Sequence, residues 1–309
     1  MERKNGINIL NIQLDISWYK MPNIRFFYKP EKPLEYNELL VKVSGNDFSD
    51  MLTFGDRAVI ENNWKKLREE KGDKVFSRPG GLGSLVDTKN NIFTYRPTEF
   101  KVYVAVTLTY QDKLLNNLVY DNMRVSAVGA VLKLADEKVF VHRRSINVTH
   151  AKSMVDSSVA GLVHFDYSIG NLNFQKSLFE KLHRELKIKD EEVKNVAFTG
   201  VHSSYDPDFS GMADFAVETV LESGDIEERI DKNYFGEHYF IPVNKLADFV
   251  FNYYAVKRDM IGDGCAAILA SLDHNLFFEA VRKINEHLDG KVIQFGRLDN
   301  GLYIRKDVD

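Results

Sequence analysis

The sequence predicts a mixed α/β (α+β) protein: an α/β/α sandwich built on a mixed sheet, preceded by a smaller α+β unit. Three observations carry this. Strand-like apolar runs recur along the chain, from INILNIQLDI at Ile7 to EHYFIPV ending at Val243. Helical patterns, with apolar residues three and four apart, stand among and after those runs, so helices flank strands and do not form a separate bundle. With 309 residues and 44% hydrophobic content, the core can exceed that of one average domain, so two units are expected, 1–121 and 122–309.

In the first unit, INILNIQLDI has the period-2 pattern of a half-buried strand, and IRFFY and LLVKVSG follow in the same style. Asp56 is expected to cap a helix through AVIENNWKKLREEKG, with Val59, Trp64 and Leu67 on one side and Gly72 as its stop. SRPGGLGS (Ser77–Ser84) is glycine-rich but lacks a Lys-Ser/Thr ending and a following helix, so it reads as a turn and not a phosphate loop. FKVYVAVTLTYQD, from Phe100, reads as a strand, and TYQDKLLNNL as a short helix after it.

The second unit opens with MRVSAVGAVLKL and KVFVHRRS, two strands joined through LADEK as a hairpin. VDSSVAGLVHF, from Val155, leads to a helix over Ser177–Ile188. Then come the strands VKNVAFTGV, ADFAVETVL and EHYFIPV, and helices in VNKLADFVFNY, MIGDGCAAILASL and HNLFFEAVRKINEHL. KVIQFGRLDNGLYIRK closes the chain as a hairpin turning at Asp299-Asn300-Gly301.

Composition excludes some functions. A net charge of −4 gives no bulk attraction to nucleic acid or to an anionic membrane, although a local basic pocket stays open. The single cysteine, Cys265, forbids an intramolecular disulfide and reads as a small buried hydrophobe. The N-terminus has no apolar signal core, and no apolar stretch approaches the ~20 residues that span a bilayer. A cytoplasmic protein is expected, with the Asn147-Val148-Thr149 sequon read as chance.

The chemistry concentrates on the helix at 177–188. At about 100° per residue, Ser177, Lys181, Arg184 and Glu185 share one face, opposite the stripe Leu178, Leu182, Leu186. Lys181 can pair with Glu185 one turn on, or Lys181 and Arg184 can meet a diphosphate directly. Taken alone, this helix reads as a solvated amphipathic surface with incidental charges.

The segment 155–188 also resembles a Nudix box whose metal-binding carboxylates have mostly been replaced. That box reads Gly, then Arg-Glu-apolar-x-Glu-Glu-x-Gly-apolar; its glutamates bind magnesium, which neutralises phosphate oxygens and positions an attacking water. Anchored on Leu182 and Ile188, the pattern puts Glu180 at its arginine, Lys181 at its first glutamate, Arg184 and Glu185 at its paired glutamates and Lys187 at its glycine. Across roughly 55–275 the chain is similar to the Nudix superfamily and, within it, to animal UDP-glucose diphosphatases. The similarity rests on AVIENNWKKL with Trp64, VTLTYQD, the hairpin ending Arg143-Arg144-Ser145, VDSSVAGLV with Gly161, GMADFAVETVL with Asp214, and DGCAAILASL. The loop departs from the family in lacking Pro-Gly-Gly and its glutamate, with His164 and Asp166 as the nearest polar groups.

The resemblance implies that Gly161 shapes the loop and that Glu185 is the remaining metal ligand, with Glu180 as a second catalytic acid. It implies that Arg143 and Arg144 flank the phosphates and that Asp214, Glu218 or Asp166 adds acid. His202, Asp206 and Asp208 lie in VHSSYDPDFSG, either a ligand-contacting segment or a solvated loop, while His164 and His183 are either a base or structural. The function expected is recognition of a nucleoside diphosphate derivative such as a UDP-sugar, with weak or absent classical diphosphatase activity. An active divergent hydrolase using Mg2+, a protein-interaction module and a structural subunit stay open, as does a homodimer.

Overall fold

The chain enters at β1 (Ile24–Tyr28), followed by β2 (Leu34–Glu35), β3 (Leu40–Val43), helix α1 (Phe54–Lys71), the hairpin β4 (Gly81–Lys89) and β5 (Ile92–Glu99), and helices α2 (Phe100–Thr109) and α3 (Asn117–Asn122). The expected hairpin is β6 (Val125–Lys133) and β7 (Lys138–Arg144), paired antiparallel. Short strands β8 (Val155–Asp156), β9 (Val159–Leu162), β10 (His164–Asp166) and β11 (Asn171–Leu172) lead to α4 (Phe174–Leu186). Then follow β12 (Val193–Ser203), β13 (Ser210–Thr219), α5 (Ser223–Glu227), β14 (Phe235–Pro242), α6 (Leu246–Val250), a π-helical turn over Phe251–Val256, α7 (Gly262–Ser271), α8 (His274–His287), β15 (Ile293–Asp299) and β16 (Leu302–Arg305). This computed structural model describes residues 23–71, 81–89, 91–110, 112–146, 151–166, 169–204, 210–231, 234–290, 292–299 and 302–305. The strand expected from Ile7, Gly72, the sequon, Asp206, Asp208 and the tip of the last hairpin lie outside the described residues.

The molecule has the mixed α/β class expected, on a mixed sheet. At its centre β6 and β13 run parallel, from Val125 opposite Ser210 to Lys133 opposite Glu218. β12 pairs antiparallel with β13, and β1 lies between β12 and, in parallel, β15. β4, β7 and β9 pair antiparallel with β6. Strands from before residue 122 therefore enter the same sheet as those after it. The helices α1–α3 carry a cluster of their own, including Ile60, Val102, Val106, Val119 and Met123.

Strand alternation assigns the layers. Val128, Ala130 and Leu132 of β6 and Ala213, Phe215 and Val217 of β13 cluster with Leu178, Leu182 and Leu186 of α4. The opposite face, with Val131, Val139 and Val141, packs on Cys265, Ile268, Leu269 and Phe277 of α7 and α8. Each fully buried leucine contributes roughly 1.5–3 kcal/mol, so the leucine stripe fixes the rotation of α4.

Three local expectations are corrected. The segment FKVYVAVTLT, expected as a strand, is helix α2. Its buried Val102, Ala105, Val106 and Thr109 recur at helical spacing, and the first three pack into the third cluster, which overrides the β-propensity of its valines and threonines. Thr107 and Thr109 donate their hydroxyls to the carbonyls of Tyr103 and Ala105, so neither competes with the helix. Asp56 is not the cap itself but the reciprocal acid of a capping box. Its Oδ2 accepts from the Thr53 N–H at 2.9 Å, and its own N–H donates to Thr53 Oγ1 at 3.1 Å. Its Oδ1 accepts from the Asn116 N–H at 2.7 Å, which ties α1 to α3. Finally, Gly81–Ser84 is not a turn but the start of β4, where Leu172 fills the space a side chain on Gly83 would need, 2.6 Å from its Cδ1.

Candidate functional site

The leucine stripe turns the other face of α4 toward β9. Gly161 lies opposite Val128 of β6, on the face of the sheet that α4 covers. A Cβ on Gly161 would fall on the ammonium end of Lys181, so the lysine occupies the space that the glycine leaves. Glu185, 9% exposed, is engaged by the guanidinium of Arg184, which lies 5.8 Å from the ring centre of Tyr234. Ser177 is buried as well. The reading of this face as a plain solvated surface is therefore overturned: its four residues are buried or half-buried.

The helix starts one turn earlier than expected because Asn173 Oδ1 accepts from the Lys176 N–H at 2.9 Å. Lys187 ends it at φ 56°, in the left-handed region, while the Ile188 N–H reaches back to the Leu182 carbonyl at 3.2 Å. The position that the Nudix pattern gives to glycine thus has the backbone that favours glycine.

Other expected residues do not join this group. Glu180 is exposed, and His183 is exposed beside Asp190 at 2.7 Å. His164 is exposed on β10, and Asp166 lies 3.8 Å from Lys176. Arg143 and Arg144 are neighbours on a strand and leave it in opposite directions. Arg143 forms a double contact with Asp259 at 2.9 and 2.6 Å and reaches Glu237 at 3.2 Å. That pairing with Asp259 pushes its pKa further up. Arg144 meets the buried Asp156 at 2.8 Å.

Asp214 lies on the wrong side of the sheet for Glu185. Adjacent residues Ala213 and Phe215 face α4, whereas the space above Gly129, its neighbour on β6, is shared by Asp214 Oδ1 and by Ala267 of α7. Glu218 has the parity of Asp214 and lies 3.7 Å from Lys133. The resemblance-based expectation that Asp214 adds acid beside Glu185 fails on this geometry.

Asp214 belongs instead to a second polar group. His202, fully buried, places Nδ1 2.7 Å from Asp214 Oδ2 and Nε2 3.3 Å from Asp263 Oδ1. Ser204 also donates to Asp263. Burial opposes a charge on His202, but Asp214 and Asp263 outweigh it and push its pKa up to about 9. Burial raises Asp214 and Asp156 above the usual carboxylate range, against the pull of His202 and of Arg144. Burial also lowers Lys29 to about 8, against Asp214 and Asp273. His142, buried and edge-on to Phe235 at 4.5 Å, is pushed down to about 3 by burial and by Arg144. Sequence reasoning missed Lys29, Asp156 and Asp263. The available signal was an acid set in otherwise apolar or small-residue runs, VDSS and GDG.

Magnesium at the place the Nudix pattern assigns would need several hard oxygens. Glu185 is engaged by Arg184, and an ammonium stands where the first glutamate would be. The residues present do not fit a divalent cation there.

No family model matches the chain, and no curated protein matches it. Among solved structures it is similar to DR0079 from Deinococcus radiodurans, with a TM-score of 0.35 and 14% identity, over 48% of this chain and 81% of that one. Among the described residues no helix is long and apolar enough to cross a membrane.

Proposed function

We propose that this is a Nudix-fold protein that recognises a nucleoside diphosphate derivative through fixed cations and not through magnesium, with little or no classical diphosphatase activity. A UDP-sugar is the first ligand to try. The observation that supports the reading most is Lys181 seated over Gly161, with Arg184 one turn further along the same half-buried face. A guanidinium held near an aromatic ring and a fixed ammonium offer charge-assisted donors to phosphate oxygens.

Calorimetry with UDP-glucose, ADP-ribose and UDP, each with a chelator and with added magnesium, tests this. Binding should persist in chelator and weaken as ionic strength rises. Arg184→Ala should weaken it by about tenfold, the value of one charge-assisted contact. If none of the three binds, or if a folded Arg184→Ala binds as well as the parent, the reading fails. Tight magnesium binding by the unmodified chain would point instead to an active hydrolase.

A further inference from the structure

On the sheet face turned to α7, two strands and a helix converge on one imidazole. His202 of β12 stands between Asp214 of β13 and Asp263 in the first turn of α7. A neutral imidazole carries one N–H, so it can donate to one carboxylate only and must turn a lone pair on the other. Both contacts are attractive only when the cluster holds a second proton. Ser204 donates its hydroxyl to the same Asp263 oxygen that faces His202, so that oxygen is held as an acceptor.

The surrounding charges point the same way. Lys29, just past β1, lies within electrostatic reach of Asp214 and of the helix-capping Asp273. Asp156 of β8 and Tyr103 of α2 lie within reach of Asp263, and Arg144 of β7 pairs with Asp156. Phe26 of β1 meets His202 at 5.9 Å between ring centres and adds no charge. The buried acids Asp156, Asp214 and Asp263 thus have Arg144 and Lys29 as neighbouring cations, and a protonated His202 would supply a third. Burying an unmatched acid here would be costly.

We propose that His202, Asp214 and Asp263 form a proton-held clamp that fixes the first turn of α7 to β12 and β13, and that losing the shared proton under alkaline conditions releases that turn. The direction follows from the raised pKa of about 9 against an ordinary histidine value of ~6.5. The stabilisation is fully present below pH ~6.5 and is lost as pH rises through about 9. α7 is sensitive to such a loss because it lies close on the sheet, with Ala267 and Ala270 against the side-chain-free Gly129 and Gly200. This clamp lies on the sheet face opposite α4 and does not depend on the nucleotide reading.

The test uses the full chain with 15N-labelled histidine. Both His202 ring nitrogens should be protonated at pH 7, and should titrate near the pH at which amide exchange in α7 rises above its intrinsic increase. Asp263→Asn supplies an amide that can donate to a neutral ring, so this variant should lower the His202 pKa by more than one unit and remove the alkaline step in α7. A parent protein whose His202 is neutral at pH 7 overturns the proposal, as does an Asp263→Asn variant that keeps the parent's alkaline step. If Asp263→Asn does not fold, the titration and exchange of the parent decide alone: α7 exchange that shows no step where His202 titrates rejects the clamp.

Discussion

At the scale of single residues, Lys187 carries a backbone conformation that its side chain does not favour. Its φ of 56° is the left-handed geometry that closes many helices on glycine, and its ammonium recovers only an exposed contact to the Arg184 carbonyl at 2.9 Å. Lys187→Gly should therefore stabilise the protein by about 0.5–1 kcal/mol, seen as a rise of roughly 1–3 °C in thermal midpoint. An unchanged or lowered midpoint would show that the lysine contact outweighs the strain. Residue-level reasoning from the sequence succeeded where neighbours are close in sequence. The spacing 177, 181, 184, 185 and the stripe of Leu178, Leu182 and Leu186 are properties of one helix, and they stand as expected. It failed for Asp214, because the face to which a strand residue points is legible only once the partner helix of that face is known. Alternation along ADFAVETVL separates Asp214 from Phe215, but nothing in that run says that α4 covers the phenylalanine side.

At the scale of elements, α2 shows burial overriding propensity. Its valines and threonines read as a strand, yet the residues it buries are spaced three and four apart. Two substitutions separate the conformations. Val106→Ala removes a fully buried side chain and should cost about 2 kcal/mol in chemical denaturation. Val104→Ala, at a half-buried position, should be neutral or slightly stabilising, since alanine exceeds valine in helix propensity by about 0.5 kcal/mol. A strand would lose stability at both. The hairpin β6–β7, α4, α7 and α8 were legible because each is a long segment with one clear period. β5, in NIFTYRPTE, was not read as a strand; its proline and charged residues interrupt the alternation.

At the scale of the molecule, the sheet does not respect a boundary at residue 122. β1 stands between β12 and β15, β4 pairs with β6, and Phe27, Leu85, Phe93 and Tyr95 belong to the same cluster as α4. A fragment of residues 122–309 would expose that cluster and leave β12 and β15 without the strand between them. Produced alone, it should give no cooperative thermal transition, whereas the full chain should unfold with a single one. A fragment with a sharp transition and dispersed amide resonances would show instead that the first strands are dispensable. Composition and element order disclosed the mixed class, but not this interleaving, since pairing between distant segments leaves no local periodicity.

The parallel pairing of β6 with β13 also bears on time. Val125 meets Ser210, and Lys133 meets Glu218, across the intervening hairpin, loop strands and α4. The ladder at the centre of the sheet therefore closes a long loop before any reward, β1 closes a longer one where Ile24 meets Ile293, and such contacts slow folding. During that interval β6, apolar along nearly its whole length, is an unpaired edge open to association with another chain. Refolding yield should depend more on protein concentration than the equilibrium stability of the native state does.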